Sequence, residues 1–200
     1  DNSANRGVLF YPDEVVRNFA IRANRAGLQI EMHAIGDRAF DQAVNAIAAA
    51  LADFPRDDHR HTIIHGFLPT QEGLETCLRC GIGVAVQPAT MRWDQEPMSY
   101  LQGILGDRAC SLSPLRRMVD MSISLSGGSD APCTPHAPIL GMWAACNHPD
   151  PGQSLTVQEA LNLYTRGAAR MGFDEKERGS LEQGKAADMV ILSANPLAVG

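Results

Sequence analysis

The sequence predicts an α/β fold in which parallel strands covered by helices form half of a TIM-type (β/α)8 barrel. Short apolar runs alternate with amphipathic helices, and no hairpin signal joins neighbouring strands, which is typical of a parallel sheet. Only four core strands can be found, whereas a closed barrel has eight strands and about 250 residues. An open doubly wound sheet is the structural alternative.

The predicted half barrel begins with a helix. Pro12 and Asp13 are typical of a helix start, and Gly27 of a helix end. Residues 28–33 have the apolar pattern of a strand. A second helix over 38–53 follows, and its apolar residues recur at the spacing of one buried face.

The middle of the chain repeats this order. Residues 62–65 form the next predicted strand, and Thr70 can cap a helix over 71–80 that ends at Gly81. A third strand is predicted over 82–87. The segment that follows it is long enough to suggest a binding element, with a short helix over 98–105.

The last predicted strand of the barrel covers 122–126, after a helix that begins at Ser113-Pro114. Two further helices are predicted over 139–146 and 156–171, and a strand over 187–192. We therefore divide the chain into a partial barrel, residues 1–178, and the start of a C-terminal segment, residues 179–200. Because the chain opens without a methionine and stops soon after the last strand, we expect a piece of a longer protein.

Composition limits the classes of partner. With 44% hydrophobic and 20% charged residues, the chain has the composition of a soluble globular protein. A net charge of −6 without Lys/Arg clusters argues against nucleic-acid and anionic membrane partners. The apolar stretches are too short to span a bilayer.

The cysteines predict a reducing compartment, and hence a cytoplasmic location. Five cysteines at irregular spacings form a poor disulfide framework. Cys77 and Cys80 have a spacing that zinc ribbons and thiol oxidoreductases use, but no second pair completes a four-thiolate site. We therefore expect the two thiols to pack on the predicted helix 71–80.

Polar side chains follow every predicted core strand. His33, His65 and Gln87 stand at the ends of the first three strands, and Asp130 follows the Gly127-Gly128 turn after the fourth. In parallel α/β folds these ends meet at one edge of the sheet, where active sites lie. Imidazole and carboxylate groups are ordinary ligands of zinc and similar divalent ions, so the set predicts a metal site.

Other histidines have simpler interpretations. His59 and His61 precede the second strand, at the opposite end of the sheet, and are expected to make solvent or charge contacts. His136 lies six residues beyond Asp130 in a proline-rich loop, where contact with substrate and a plain surface position are both open. A single histidine at a strand end is more often structural than a ligand, so the metal prediction depends on the whole set.

Five motifs occur in an order that resembles amidohydrolase family 3, the YtcJ-like branch of the metal-dependent amidohydrolase superfamily. They are His33-Ala34-Ile35-Gly36-Asp37-Arg38-Ala39, Ile64-His65, Val86-Gln87-Pro88, Gly128-Ser129-Asp130-Ala131-Pro132 and the stretch 179–188, Gly-Ser-Leu-Glu-Gln-Gly-Lys-Ala-Ala-Asp. The resemblance covers nearly the whole chain, and the first and last motifs are its most specific parts.

The resemblance implies that this chain contains strands five to eight of the barrel. His33 and His65 then correspond to metal ligands after the fifth and sixth strands, and Asp130 to the aspartate that binds metal and accepts the proton of the attacking water. The strand at 187–192 corresponds to one that enters a small β-sandwich. The family's His-x-His of strand one and the lysine or carboxylate of strand four are absent from this sequence.

The implied activity is hydrolysis of a C–N bond in a small molecule: an amide, N-formyl, carbamoyl or cyclic amide. The implied cofactor is a divalent metal, first of all zinc, with one or two ions in the complete protein. Gln87, Arg92, Trp93 and His136 are the candidate substrate-binding residues.

Other interpretations of the sequence stay open. The chain is alternatively an inert fragment that binds no metal until an absent N-terminal half, or a second chain, completes the barrel. A homo-oligomer is compatible with the sequence. A dinucleotide-binding domain is disfavoured because no Gly-x-Gly-x-x-Gly follows a strand.

Overall fold

The computed structural model describes residues 5–92, 94 and 96–198, in which helices and strands alternate. The strands are β1 (Glu31–Ala34), β2 (Thr62–His65), β3 (Gly83–Val86) and β4 (Leu125–Gly127). The helices are α1 (Asp13–Arg25), α2 (Asp37–Asp53), α3 (Gln71–Cys80), α4 (Met98–Leu105), α5 (Leu115–Asp120), α6 (Pro138–Cys146), α7 (Val157–Asn162) and α8 (Ala168–Met171). Among the described residues, no helix combines the length and the apolar character needed to cross a lipid bilayer.

The four strands form one parallel sheet in the order β1-β2-β3-β4. Glu31 lies opposite Thr62, and Thr62 lies opposite Gly83. Val84 in turn lies opposite Leu125. Each strand therefore pairs with the next strand in sequence, and the predicted α/β class with a parallel sheet is confirmed.

Helix α2 supplies much of the core. Phe40, Val44 and Ile47 lie on its predicted apolar stripe and are all buried. The ring of Phe40 lies against α3 so closely that a Cβ on Gly73 would be 2.7 Å from it. Glycine at position 73 therefore lets α2 and α3 pack against each other.

The fourth strand and the last predicted helix differ from expectation. Strand β4 starts at Leu125 rather than at residue 122, because Ser122 has a φ of 60° and breaks the extended chain. The predicted helix 156–171 contains a π-helical turn, Leu163–Gly167, between α7 and α8. At this turn Gly167 approaches β4, and a Cβ there would lie 2.3 Å from the Leu125 carbonyl oxygen.

The predicted strand over 187–192 is wrong. This stretch has no strand hydrogen bonding, and no described strand lies beside it to pair with its backbone. Val190 and Ile191 are 83% and 99% exposed. An apolar run needs a partner strand to satisfy its peptide groups, so the residue pattern alone does not produce a strand here.

Of the solvent or charge contacts expected for His59 and His61, the solvent contacts are wrong, since both side chains are buried. His61 Nδ1 accepts a hydrogen bond from the Ile30 N–H at 3.1 Å, and its Nε2 lies 3.0 Å from Asn24 Oδ1. The ring of His59 contacts the Cys80 carbonyl oxygen through Nε2 at 2.9 Å. These bonds connect α1, α3 and the start of β1 at the amino ends of the strands.

We expect this network to make stability depend on pH. Burial, helped by the charges of His59 and Arg56, lowers the pKa of His61 to about 3. The unfolded imidazole takes up a proton near pH 6.5, so stability is complete above that pH and falls as the pH drops towards 3. At pH 5 the loss from this one group amounts to about 2 kcal/mol.

Urea unfolding at pH 7.5 and pH 5 measures this loss. In His61→Gln the amide can still accept from Ile30 and donate to Asn24, but it does not titrate. The difference in unfolding free energy between the two pH values is therefore expected to shrink by about 2 kcal/mol in this variant. An equal pH dependence in both proteins would exclude His61 as its source.

Candidate metal centre

Two imidazoles meet at the carboxyl ends of β1 and β2. His65 Nε2 lies 3.1 Å from His33 Nδ1. The rings stand nearly perpendicular, with an interplanar angle of 81° and centroids 4.6 Å apart. His33 is exposed and His65 is half-buried, so the pair opens to solvent on the side of β1. The structure thus brings together two of the three predicted ligands.

Gln87, one residue beyond β3, is buried against this pair. Its Oε1 lies 2.7 Å from His65 Nδ1, and its Nε2 donates to the Ala85 carbonyl oxygen at 3.0 Å. A Cβ on Gly128 would lie 3.8 Å from Gln87 Nε2. Three strand ends therefore meet around the imidazole of His65.

Asp130, the third predicted ligand, lies in the turn after β4. Its carboxylate is close enough to raise the pKa of His65 by its charge. The turn before it lies on the Tyr164 ring, which is 2.7 Å from a Cβ built on Gly127. The Tyr164 hydroxyl donates to the Gly128 carbonyl oxygen at 3.4 Å, so the π-helical turn supports the segment that carries Asp130.

The surroundings of His65 favour its neutral form. Burial lowers its pKa, and the positive form of His33 would lower it further. The hydrogen bond with Gln87 and the negative charge of Asp130 act in the opposite direction, but the net pKa stays below the ordinary histidine value. A neutral imidazole has the free lone pair that a metal ligand needs.

Both His65 and Asp130 have left-handed backbone conformations, with φ values of 76° and 55°. Residues other than glycine pay a free-energy penalty for this conformation, and such residues cluster at functional sites. The sequence signal for the first of these bends is weak, because only Gly66 after His65 suggests an unusual turn.

The predicted substrate-binding residues have different surroundings. Arg92 places its guanidinium 5.3 Å from the centroid of the Trp143 ring and donates to the Asn147 carbonyl oxygen. His136 is exposed, and Gln87 contacts His65 as described. Trp93 lies outside the described residues. Binding of substrate by these residues stays a prediction.

Sequence reasoning missed Tyr164 and Trp143, because both lie in helices whose apolar residues predict ordinary packing. The signal for Tyr164 lies in two distant glycines, since a Cβ on Gly127 or Gly141 would overlap its ring.

The thiol of Cys77 is buried, and burial raises its pKa to about 12, which supports the predicted packing role.

The chain is similar in sequence to a known protein family and to two named proteins. The family described as the amidohydrolase family matches residues 3–200. YtcJ of Bacillus subtilis (strain 168), which is named as an amidohydrolase, is 31% identical over the whole chain. N-substituted formamide deformylase of Arthrobacter pascens is 27% identical over 96% of the chain. The chain spans 39% and 36% of these two relatives.

Two solved structures have a similar fold. An uncharacterised metal-dependent hydrolase from Pyrococcus furiosus has a TM-score of 0.82 and 28% identity. The match covers 98% of this chain and 40% of the Pyrococcus chain. A second one, from Pyrococcus horikoshii, has a TM-score of 0.81 and 25% identity, covering 100% and 41%. With a family match over nearly all its residues, this chain belongs to amidohydrolase family 3.

Proposed function

We propose that this chain supplies metal ligands and the general base of a metal-dependent hydrolase that acts on C–N bonds. The observation that carries the proposal is the contact of His65 Nε2 with His33 Nδ1 at the carboxyl edge of the sheet. Asp130 is the third expected ligand and the general base. Family membership and the two related metal-dependent hydrolases support metal-dependent hydrolysis as the activity.

The pair of imidazoles fits a divalent ion. Two nitrogens that each bind zinc at about 2.0–2.1 Å in tetrahedral geometry stand about 3.3 Å apart, close to the 3.1 Å found between His33 and His65. Nitrogen with carboxylate oxygen suits zinc and its borderline neighbours better than magnesium or calcium.

The described residues contain no group of three or more His, Cys, Asp or Glu side chains close enough to hold a metal ion. The ligand set here is therefore two histidines with an acidic neighbour. In the complete protein, further ligands for one or two ions would come from strands outside this chain.

The proposed reaction is hydrolytic. When bound, a divalent ion supplies a Lewis acid that activates water and polarises the scissile carbonyl near neutral pH. Asp130 accepts a proton from the attacking water and returns it to the leaving amine as the C–N bond breaks. An amide or N-formyl substrate gives a carboxylic acid and an amine, a carbamoyl substrate gives a carbamic acid and an amine, and a cyclic amide opens to one molecule that contains both new groups. The likeness to N-substituted formamide deformylase supports an N-formyl substrate, while amide, carbamoyl and cyclic amide substrates use the same chemistry.

We further propose that the sheet is the C-terminal half of a barrel. The strand order β1-β2-β3-β4 has no reversal, as in a barrel and unlike the switch point of a doubly wound sheet. Strand β1 is an edge, and beside it lies a cleft of about 850 Å³. Exposed apolar side chains line this cleft, namely Val8, Phe10, Tyr11, Val15, Phe19 and Ile35.

In a complete barrel, strand four would come from outside this chain. It would pair with β1 and cover the cleft, since exposed strand edges and apolar faces are normally covered. The N-terminal half of the same protein is its expected source, with a second chain as the alternative. The gene decides between them: a reading frame that encodes a strand ending in His-x-His upstream of Asp1 supports the half barrel. A start codon directly before Asp1 contradicts it.

Removal of metal tests the hydrolase proposal. After dialysis, we expect about one divalent ion per chain by elemental analysis, and release of formate from an N-substituted formamide by the protein with its barrel complete. A chelator should abolish this release and zinc should restore it, because the ion activates the water. A protein without metal or activity would contradict the proposal and favour an inert fragment. A protein that stays equally active after chelation would contradict the metal-dependent mechanism.

A further inference from the structure

The amide of Gln87 can take only one orientation. One of its two polar atoms lies 3.0 Å from the carbonyl oxygen of Ala85. A carbonyl oxygen only accepts hydrogen bonds, so the atom that faces it is the NH2 group. A flipped amide would place two oxygens in contact and leave both without a proton between them.

This orientation determines which nitrogen of His65 carries the proton. With Nε2 of Gln87 held by Ala85, the atom that lies 2.7 Å from His65 Nδ1 is the amide oxygen. An amide oxygen is an acceptor, so Nδ1 of His65 is the donor. In a neutral imidazole only one nitrogen is protonated, and Nε2 therefore has a free lone pair.

We propose that Gln87 is a positioning residue that fixes His65 in the Nδ1–H tautomer and aims the unprotonated Nε2 at the metal. The inference rests on the function proposed above, and it assigns Gln87 a role other than contact with substrate. A hydrogen bond from the remote nitrogen of a ligating histidine both orients the ring and selects its tautomer.

The contact between the two histidines agrees with this assignment. Because His65 Nε2 carries no proton, the 3.1 Å contact is a hydrogen bond only when His33 Nδ1 donates. Without metal, one proton therefore joins the two rings. Metal binding at both nitrogens therefore requires His33 to change to its Nε2–H tautomer, in which Nδ1 has a free lone pair.

Two matched variants separate tautomer control from packing. Gln87→Met and Gln87→Glu both lose the donor to Ala85 and both preserve the length of the side chain. Only Gln87→Met also loses the acceptor for His65 Nδ1. The tautomer of His65 is read from the nitrogen chemical shifts of ¹⁵N-histidine in the metal-free protein, and zinc affinity is measured by calorimetry.

We expect the wild-type protein and Gln87→Glu to hold His65 as the Nδ1–H tautomer. Gln87→Met should give a mixture of tautomers and bind zinc about 10–100-fold more weakly. Thermal unfolding of both variants checks that they fold. A wild-type His65 protonated at Nε2, or a folded Gln87→Met with unchanged tautomer and zinc affinity, overturns the inference.

The two proposals fail in different ways. The tautomer is measured without metal. If the wild-type protein with its barrel complete holds His65 as Nδ1–H but binds no zinc, the tautomer inference stands and the hydrolase proposal is contradicted. If the wild-type protein binds zinc and Gln87→Met behaves identically, the metal site stands and Gln87 has no role in it.

Discussion

His65→Ala is expected to weaken binding of a divalent ion by more than about 100-fold, since loss of even a hydrogen-bonded neighbour of a ligand costs 10–100-fold. Two features single out this residue. Its Nε2 faces His33 Nδ1 at 3.1 Å, and its Nδ1 is held by Gln87 at 2.7 Å. Elemental analysis after dialysis and zinc titration by calorimetry measure the effect.

Backbone strain calls for a second variant at this position. His65 has a φ of 76°, a conformation that alanine adopts less readily than asparagine. His65→Asn keeps the turn more easily and should lose the ion as well, so a shared loss in both variants reflects the missing imidazole rather than a changed fold.

An exposed histidine serves as the matched control. His136→Ala removes an imidazole from the loop after β4, and its metal content is expected to equal that of the wild-type protein. If His65→Ala keeps one ion per chain, or if His136→Ala loses it, the metal lies elsewhere.

The parallel sheet could be predicted from sequence because each strand is a short apolar run between helices. His33 and His65 could be placed for the same reason, since parallel strands align their carboxyl ends. The predicted strand at 187–192 failed because its apolar pattern lacks a partner among the described residues. Pairing between distant segments is not visible in a local pattern.

The polar network of His59 and His61 was missed for a related reason. Both lie before β2, where an exposed loop is the usual expectation, but α1 and α3 cover them and Asn24 supplies a partner. The role of Gln87 was likewise beyond sequence reasoning. Its spacing places it at a strand end, whereas its function depends on the 3.0 Å contact with Ala85 that orients the amide.

Asp130→Asn is expected to lower kcat for hydrolysis of an N-substituted formamide by about 10²–10⁴-fold, the contribution typical of a general base. Asparagine is the informative replacement, because it tolerates the φ of 55° that Asp130 has. Its amide oxygen can still approach a metal ion, but it cannot accept the proton of water at neutral pH. We therefore expect retained metal, a KM within a few-fold of the wild-type value, and a large fall in kcat alone.

Asp57→Asn makes the same chemical change before β2, at the opposite end of the sheet from His65. Its kcat is expected to match that of the wild-type protein. If the Asp130→Asn protein turns over at the wild-type rate, Asp130 is not the base. If instead it loses its metal, the carboxylate acts as a ligand, and the fall in kcat reflects the lost ion rather than the lost base. The separate measurement of kcat, KM and metal content therefore distinguishes the two roles that a single carboxylate combines at this site.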